Sequence, residues 1–103
     1  MNDKYSLTKE GDLYRITALK DFGVVKKGDI GGLIERERNL DFDGEAWVHK
    51  NAIVSDNARV SGKAQVYGDA HVSGNAQVYG EAQVYGNAQV SGGAHLFGTA
   101  MVF

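Results

Sequence analysis

The chain has 103 residues, a net charge of −2, and neither cysteine nor proline. This length allows one domain, the weak negative charge gives no electrostatic case for nucleic acid as a partner, and the lack of cysteine excludes disulfide and thiolate chemistry. No stretch approaches the roughly 18 apolar residues of a membrane-spanning helix, and the N-terminus has no charged-then-apolar signal segment. We therefore expect a cytoplasmic protein without a membrane partner.

The N-terminal segment 1–19 predicts one strand. Residues 1–12 are polar, and Glu10-Gly11-Asp12 is typical of a turn. Leu13 to Leu19 then alternates, with Tyr14 and Ile16 on one face and Arg15 on the other, which is the pattern of a β-strand.

The following segment, 20–39, predicts a hairpin and at most a short helix. Val24-Val25 and Ile30 to Ile34 flank the polar segment Lys26 to Asp29, which favours a hairpin, and only Glu35 to Asn39 has room for a helix. Residues 1–39 are therefore predicted to form a small β-rich cap that covers the exposed edge of the first coil. The bulky residues that would plug this end are Leu40, Phe42 and Trp47.

From residue 40 to residue 103 the sequence repeats with a period of six. Alanine occupies every sixth position from 46 to 100, and nine valines and one leucine follow the alanines two positions later. Residues two apart on an extended chain point the same way, so both are predicted to face inward. Glycine, which turns corners cheaply, holds the fifth position from Gly62 to Gly98. A short strand followed by a corner, repeated many times, predicts a β-solenoid stabilised by coil stacking.

A coil of three repeat units separates the outward residues by chemical type better than a coil of two. In such a coil, residues 18 apart lie in the same column. A coil of two units would mix serine with aromatic residues in both columns. The three-sided columns are Ser55, Ser73 and Ser91; His49, Tyr67, Tyr85 and Phe103; and Asp43, Ser61, Tyr79 and Phe97. We therefore predict an all-β fold, a parallel β-solenoid at residues 40–103, in one structural domain with the cap.

The A-x-V-x-G-x run resembles the hexapeptide repeat of left-handed parallel β-helix proteins, which have three hexads per turn. The left-handed sense is implied by this resemblance alone, since the general preference for right-handed crossovers predicts the opposite. Three segments resemble the N-terminal part of a group of phage and prophage proteins with no established activity. They are Lys27 to Glu35, Asn39-Leu40 and Gly44 to Val48. This narrower resemblance implies a host cell cytoplasm as the location and a host protein as a candidate partner.

The enzymes of the hexapeptide family are acyltransferases, which use a histidine as general base beside a loop that leaves the coil. A neutral imidazole suits such a role. Here His49, His71 and His95 occupy outward positions that other units fill with Gln, Tyr or Ser, and no inserted loop interrupts residues 40–103. The pattern favours surface histidines and predicts no catalytic residue and no cofactor.

Metal and phosphate sites are not predicted either. No two histidines share a column in the three-sided coil, so they do not converge as zinc ligands must. The glycine-rich segment Gly28-Asp29-Ile30-Gly31-Gly32 is neither of the two common phosphate-binding patterns, and we interpret it as a turn.

The aromatic columns have two interpretations, which both stay open. Stacked rings stabilise neighbouring coils, whereas exposed rings form a contact surface for another macromolecule. The predicted partner-binding residues are Tyr67, Tyr79, Tyr85 and Phe97. The predicted self-association residues, on the edge of the last coil, are Ala100, Met101, Val102 and Phe103, with a homodimer expected first and a trimer second.

We therefore predict a non-enzymatic phage-type protein that binds a protein partner and inhibits a host process. A virion or scaffold component and a hexapeptide-repeat acyltransferase are the alternatives.

Overall fold

Short β-strands separated by tight corners make up most of the computed structural model, which describes residues 2–103. The first three strands are β1 (Tyr5–Glu10), β2 (Leu13–Ala18) and β3 (Ile30–Ile34), and one turn of 3-10 helix follows at Glu37–Asn39. No α-helix occurs within residues 2–103. The remaining ten strands have two residues each: β4 (Trp47–Val48), β5 (Ile53–Val54), β6 (Arg59–Val60), β7 (Gln65–Val66), β8 (His71–Val72), β9 (Gln77–Val78), β10 (Gln83–Val84), β11 (Gln89–Val90), β12 (His95–Leu96) and β13 (Met101–Val102).

The two-residue strands stack in parallel on three sides of a prism. One side has the order β4-β7-β10-β13, the second β6-β9-β12, and the third β5-β8-β11, with β3, β2 and β1 continuing the third side. Within the repeat, paired residues are 18 apart, as in the pair His71 and Gln89. The prediction of an all-β parallel solenoid with three hexads per coil is confirmed, with about four stacked coils.

Alanine and valine of each unit form the core, as the alternation predicts. The alanines from Ala46 to Ala82 and the valines from Val48 to Val84 are fully buried. Burial of one valine side chain contributes roughly 1.5–3 kcal/mol, and each coil supplies three of them to its neighbours. The core is therefore a continuous column of small side chains along the axis.

Each corner requires backbone that most residues avoid. At Gly68, φ is +70°, and a Cβ built there would lie 2.7 Å from the backbone nitrogen of Gly86 in the next coil. Positive φ and close coil contact therefore both require glycine. Asp56 occupies a glycine position with φ +58°, and its carboxylate accepts a hydrogen bond from the Gly74 N–H at 3.0 Å. Its own N–H donates to the Glu35 carboxylate at 2.6 Å, so this corner is fastened to the cap.

The cap is β-rich, as predicted, but its strands pair differently. β1 and β2 form a hairpin that turns at the predicted Gly11-Asp12, although the sequence does not predict β1 because Thr8, Lys9 and Glu10 are polar. The strand predicted from Leu13 is confirmed as β2. The turn interpretation of residues 28–32 holds only in part, because Gly31 and Gly32 lie inside β3.

The predicted hairpin between Val24-Val25 and Ile30 to Ile34 is wrong. Val25 instead bridges Phe22, while β3 pairs antiparallel with β2 and parallel with β5. The turn itself exists, since the Asp29 carboxylate accepts a hydrogen bond from the Lys26 N–H at 2.9 Å. The Gly28 N–H donates to the Ala18 carbonyl at 2.9 Å, which returns the chain to β2. β3 thereby joins the cap to the solenoid.

Candidate functional site

One side of the prism carries a continuous stack of rings. The ring centroids of Tyr67 and Tyr85 are 5.3 Å apart with a 9° interplanar angle, and those of Tyr85 and Phe103 are 5.2 Å apart at 18°. His49 meets Tyr67 edge-on at 5.7 Å. The predicted column is confirmed, and we call His49, Tyr67, Tyr85 and Phe103 the long ladder.

A second side carries a shorter stack. Tyr79 and Phe97 lie 5.6 Å apart at 15°, and we call this pair the short ladder. The structure therefore brings Tyr67 together with Tyr85, and Tyr79 together with Phe97, but it divides the four predicted partner-binding residues between two sides. A single flat partner surface contacts one ladder at a time.

Stacking covers the ring faces inside the ladders and leaves their outer ends open. Tyr67, Tyr79 and Tyr85 are half-buried, so they present mainly ring edges and hydroxyl groups. Phe97 is 59% exposed and Phe103 is 82% exposed. The accessible apolar surface of the two ladders is therefore concentrated in the last described coil, where Met101 is also 57% exposed.

Glutamine side chains fix the orientation of the long ladder. The Tyr67 hydroxyl donates to Gln83 Oε1 at 3.0 Å, and His49 Nε2 lies 2.6 Å from Gln65 Oε1. Gln65 Nε2 donates to the Glu45 carbonyl at 3.0 Å, which assigns the amide oxygen to the histidine and makes His49 Nε2 the donor. The ring contacts join residues 18 apart, whereas the Tyr67–Gln83 and His49–Gln65 bonds join residues 16 apart, a diagonal spacing that sorting into columns does not reveal.

The surface around the ladders is almost free of charge. All eleven Lys and Arg residues lie within the first 63 positions, and residues 64–103 contain only Asp69 and Glu81 as acidic residues. In ordinary globular domains about 25% of all residues are charged. Interface cores, by contrast, are depleted in charge and enriched in Tyr, Phe and Met. The last two coils therefore have the composition of a contact surface.

The three histidines lie apart from one another in the described residues. His49 belongs to the long ladder, His71 is exposed with Nε2 3.2 Å from the Ser55 hydroxyl, and His95 is exposed on another side. Residues 2–103 contain no group of three His, Cys, Asp or Glu side chains that could hold a metal ion.

Two clefts lie at the cap end. One, of about 230 Å³, is lined by Glu37, Arg38, Leu40, Asp41, Phe42 and Arg59. The other, of about 410 Å³, is lined by Asn2, Tyr5, Ser6, Leu7, Leu19 and Glu37. Neither cleft is lined by a histidine.

The plug beneath the cap is larger than predicted. Leu40 and Trp47 are buried as expected, whereas Phe42 is 36% exposed at the rim, 5.9 Å from the ring of Tyr5. Phe22 packs edge-on against Trp47 at 5.4 Å, and Tyr5 lies 6.5 Å from the same indole. The sequence hint was Tyr5 itself, an aromatic residue in a polar segment.

A buried lysine completes this plug. Lys4 Nζ donates to the Asp41 carbonyl at 2.9 Å and lies 5.0 Å from the centroid of the Phe22 ring. Burial lowers the pKa of the Lys4 amine to about 8, against the opposing pull of the nearby Asp41 carboxylate. Burial also raises the pKa of the Tyr5 phenol, whose hydroxyl donates to the Leu40 carbonyl at 2.6 Å. These polar groups hold the cap onto the first coil.

A comparison with known protein families supports the β-solenoid fold. Residues 64–80 and 82–98 match a family model described as the YdcK beta solenoid repeat, which covers about a third of the chain. No curated protein matches the chain. Within residues 2–103 there is no helix with the length and apolar character needed to cross a membrane. The fold and the matched repeats define a β-solenoid repeat protein.

Proposed function

We propose that this protein is a non-enzymatic binding protein whose solenoid contacts a protein partner through its aromatic ladders. The observation that carries the proposal is the combination of stacked, partly exposed rings with a surface that has only two acidic and no Lys or Arg residues over positions 64–103. Charge-poor aromatic surfaces are typical of the centre of protein interfaces.

The solenoid suits this role because it holds the rings in place before binding. Inter-coil backbone hydrogen bonds flank the long ladder, such as Tyr67 N–H to the Val84 carbonyl at 2.8 Å and Tyr85 N–H to the Val102 carbonyl at 2.9 Å. Little conformational entropy is lost when such residues contact a partner, so more of the interaction energy is available for affinity. Aromatic residues in fixed positions are also the usual hot spots.

The proposal also includes a narrower family and an origin for the protein. The hexad pattern supports a left-handed hexapeptide-repeat solenoid, and the segment from Lys27 to Glu35 supports a phage or prophage origin. In that setting the partner is a host protein in the host cytoplasm, whose activity the solenoid inhibits. A virion or scaffold component is the alternative within the same binding class.

The test is capture of a protein partner from host lysate by the immobilised protein, followed by measurement of its affinity for variants. Tyr85→Ala removes the central ring of the long ladder, and Phe97→Ala removes the exposed ring of the short ladder. We expect one of these changes to weaken binding at least tenfold while the variant remains folded by circular dichroism. Ser73→Ala, in the same outward position on the third side, is the matched control.

Binding that is unchanged in both aromatic variants would contradict the proposal. The acyltransferase alternative requires different properties, namely binding of acyl-coenzyme A and a histidine that acts as the base. Calorimetry that shows tight binding of acyl-coenzyme A, with turnover lost in His71→Ala or His95→Ala, would replace the binding proposal with an enzymatic one.

A further inference from the structure

The smaller cleft at the cap end, of about 230 Å³, combines charges of both signs with apolar side chains. Its lining consists of two acidic, two basic and two apolar residues: Glu37, Asp41, Arg38, Arg59, Leu40 and Phe42. The first five of these positions along the chain belong to the 3-10 turn and the segment that follows it, and the sixth belongs to β6. The cleft therefore lies where the cap meets the first coils of the solenoid.

The charged groups of this cleft do not neutralise one another by direct contact. Elsewhere in the described chain, Arg15 and Arg36 each have a carboxylate oxygen 3.0 Å from a guanidinium nitrogen. Within residues 2–103, neither Arg38 nor Arg59 takes part in an ion pair, and the same holds for the Asp41 carboxylate. Groups of both signs are therefore available to a ligand in one small cleft.

Hydrogen bonds fix the backbone on both sides of the cleft. The Asp41 N–H donates to the Val60 carbonyl at 3.0 Å, and the Asp41 carbonyl accepts from Lys4 Nζ at 2.9 Å. The Arg59 N–H donates to the Ala76 carbonyl at 3.0 Å. Because the frame of the cleft is already ordered, little conformational entropy is lost when a ligand binds.

Leu40 and Phe42 form the apolar part of the cleft. Leu40 is fully buried, and its carbonyl accepts a hydrogen bond from the Tyr5 hydroxyl at 2.6 Å. The Phe42 ring is 36% exposed and lies 5.9 Å from the Tyr5 ring, which supports it. A partly exposed ring beside a buried leucine provides a surface that can cover an apolar side chain of a ligand.

We propose that this cleft binds a small zwitterion with an apolar side chain, of which a free apolar α-amino acid is the simplest. The two arginines receive the carboxylate, because guanidinium groups donate strong, paired hydrogen bonds to such a group. Glu37 and the half-buried Asp41 receive the ammonium group, and Phe42 contacts the apolar side chain. The volume of the cleft is below the roughly 300–1,000 Å³ of sites for drug-sized ligands, which suits a ligand of this size.

The balance of charges favours a zwitterion over an anion or a cation. The cleft has two acidic and two basic residues, so its formal charge is zero. A simple anion is attracted by the guanidinium groups but repelled by the carboxylates, and a simple cation meets the reverse. A ligand that has both charges is attracted by all four groups. The larger cleft contains Glu37 but no basic residue, so it lacks this complementarity.

Two-dimensional NMR of the full chain tests the proposal, with L-phenylalanine as the probe. We expect saturable shifts at millimolar ligand that centre on the amides of Asp41 and Arg59. The amide of L-phenylalanine lacks the carboxylate, and its N-acetyl derivative lacks the ammonium group, so each should bind at least fivefold more weakly. Equally tight binding of either analogue, the absence of shifts, or shifts that centre on the aromatic ladders would each overturn the proposal.

Substitution of the arginines locates the carboxylate site. Arg38 and Arg59 are exposed, so Arg38→Gln and Arg59→Gln should remain folded by circular dichroism, and each should weaken binding of L-phenylalanine at least fivefold. Arg36→Gln removes the same charge from a residue outside the cleft and should bind like the wild type. Unchanged binding in both cleft variants would contradict the assigned site. Tyr85→Ala, in the long ladder, should keep amino-acid binding, so this result and the test of the protein partner remain separate.

Discussion

Asn39 acts as a substitute for a stretch of backbone at the start of the solenoid. Its side-chain oxygen accepts the N–H groups of Glu35 and Arg36 at 2.9 and 2.8 Å. Its side-chain nitrogen donates to the carbonyls of Asp56 and Ala58 at 3.2 and 2.7 Å. The residue is fully buried, so its amide is shielded from water. The amide thus occupies the place where a preceding coil would supply peptide groups.

We expect Asn39→Ala to lower the free energy of unfolding by about 3 kcal/mol. Each buried group left without a partner costs roughly 1–3 kcal/mol, and the change leaves several. Chemical denaturation followed by circular dichroism measures the effect. Asn57→Ala is the control, because Asn57 is exposed and its bond to Asn75 is long at 3.3 Å; it should change stability by less than about 0.5 kcal/mol. Similar losses for both variants would refute the role assigned to Asn39.

Lys4 makes stability depend on pH in an unusual direction. Below pH 8 both folded and unfolded chains bind the lysine proton, so the cost of burying the charge is fully present. Between pH 8 and the ordinary value of 10.5 the folded chain releases the proton first, so stability rises with pH. Above about pH 10 the Tyr5 phenol ionises only in the unfolded chain, which reverses the gain.

Denaturation of the wild type at pH 7, 8, 9 and 10 should therefore show a rise that Lys4→Met lacks. The rise from pH 8 to pH 9 should be about 1 kcal/mol, because one pKa unit corresponds to about 1.4 kcal/mol. Lys9→Met, at an exposed lysine, should retain the rise. Parallel curves for the wild type and Lys4→Met would show that the Lys4 amine is hydrated in the folded chain.

The sequence alone does not reveal the roles of such residues, because these roles depend on contacts with residues far away in the chain. Asn39 meets Ala58, which lies 19 positions away, and Lys4 meets Asp41, which lies 37 positions away. The residues of the repeat are different. Their neighbours in space are fixed by the period, so the stacking of Tyr67 on Tyr85 follows from counting 18 positions.

At the scale of single elements, a strand can be predicted where apolar and polar side chains alternate. It cannot be predicted where contacts of the backbone with distant residues determine the structure. The alternation of β2 is visible in the sequence, whereas the polar edge strand β1 has no such signal. β3 contains two glycines that look like a turn. A Cβ at Gly32 would lie 2.3 Å from the Ala52 carbonyl oxygen, and one at Gly31 would lie 2.7 Å from the Trp47 ring. These glycines let β3 approach the first coil, which no local pattern reveals.

The strand edges provide a matched pair of proline substitutions. Proline at Ser73 removes an N–H that donates to the Val90 carbonyl at 2.8 Å, and its ring collides with the next coil. We expect Ser73→Pro to lose about 3 kcal/mol or more of stability. Ser91→Pro, one coil further on, removes an N–H with no acceptor in the described chain and should cost about 1 kcal/mol or less. The reverse order of the two stabilities would contradict the assigned hydrogen bonds.

At the scale of the whole molecule, each coil contacts the coils next to it. Paired residues in the repeat are 18 apart on all three sides, and within residues 2–103 no strand of the repeat pairs with one two coils away. Stability of such a stack is close to a sum over coils and their interfaces. A whole coil can therefore be removed from the stack, whereas an ordinary domain does not tolerate such a change in length.

Removal of one coil tests this property. Deletion of residues 68–85 takes out one full coil, joins Tyr67 to Gly86, and places Phe103 where Tyr85 stacked. We expect this variant to unfold cooperatively, with the β-sheet circular dichroism of a shorter solenoid and a lower thermal midpoint. Deletion of residues 68–76 is half as long, but it leaves Tyr67 without a glycine after it and puts Val78 out of phase with Val66. A shift out of phase turns inward side chains outward, so the smaller deletion should be the more damaging. A higher midpoint for the smaller deletion would show that register between coils does not determine stability.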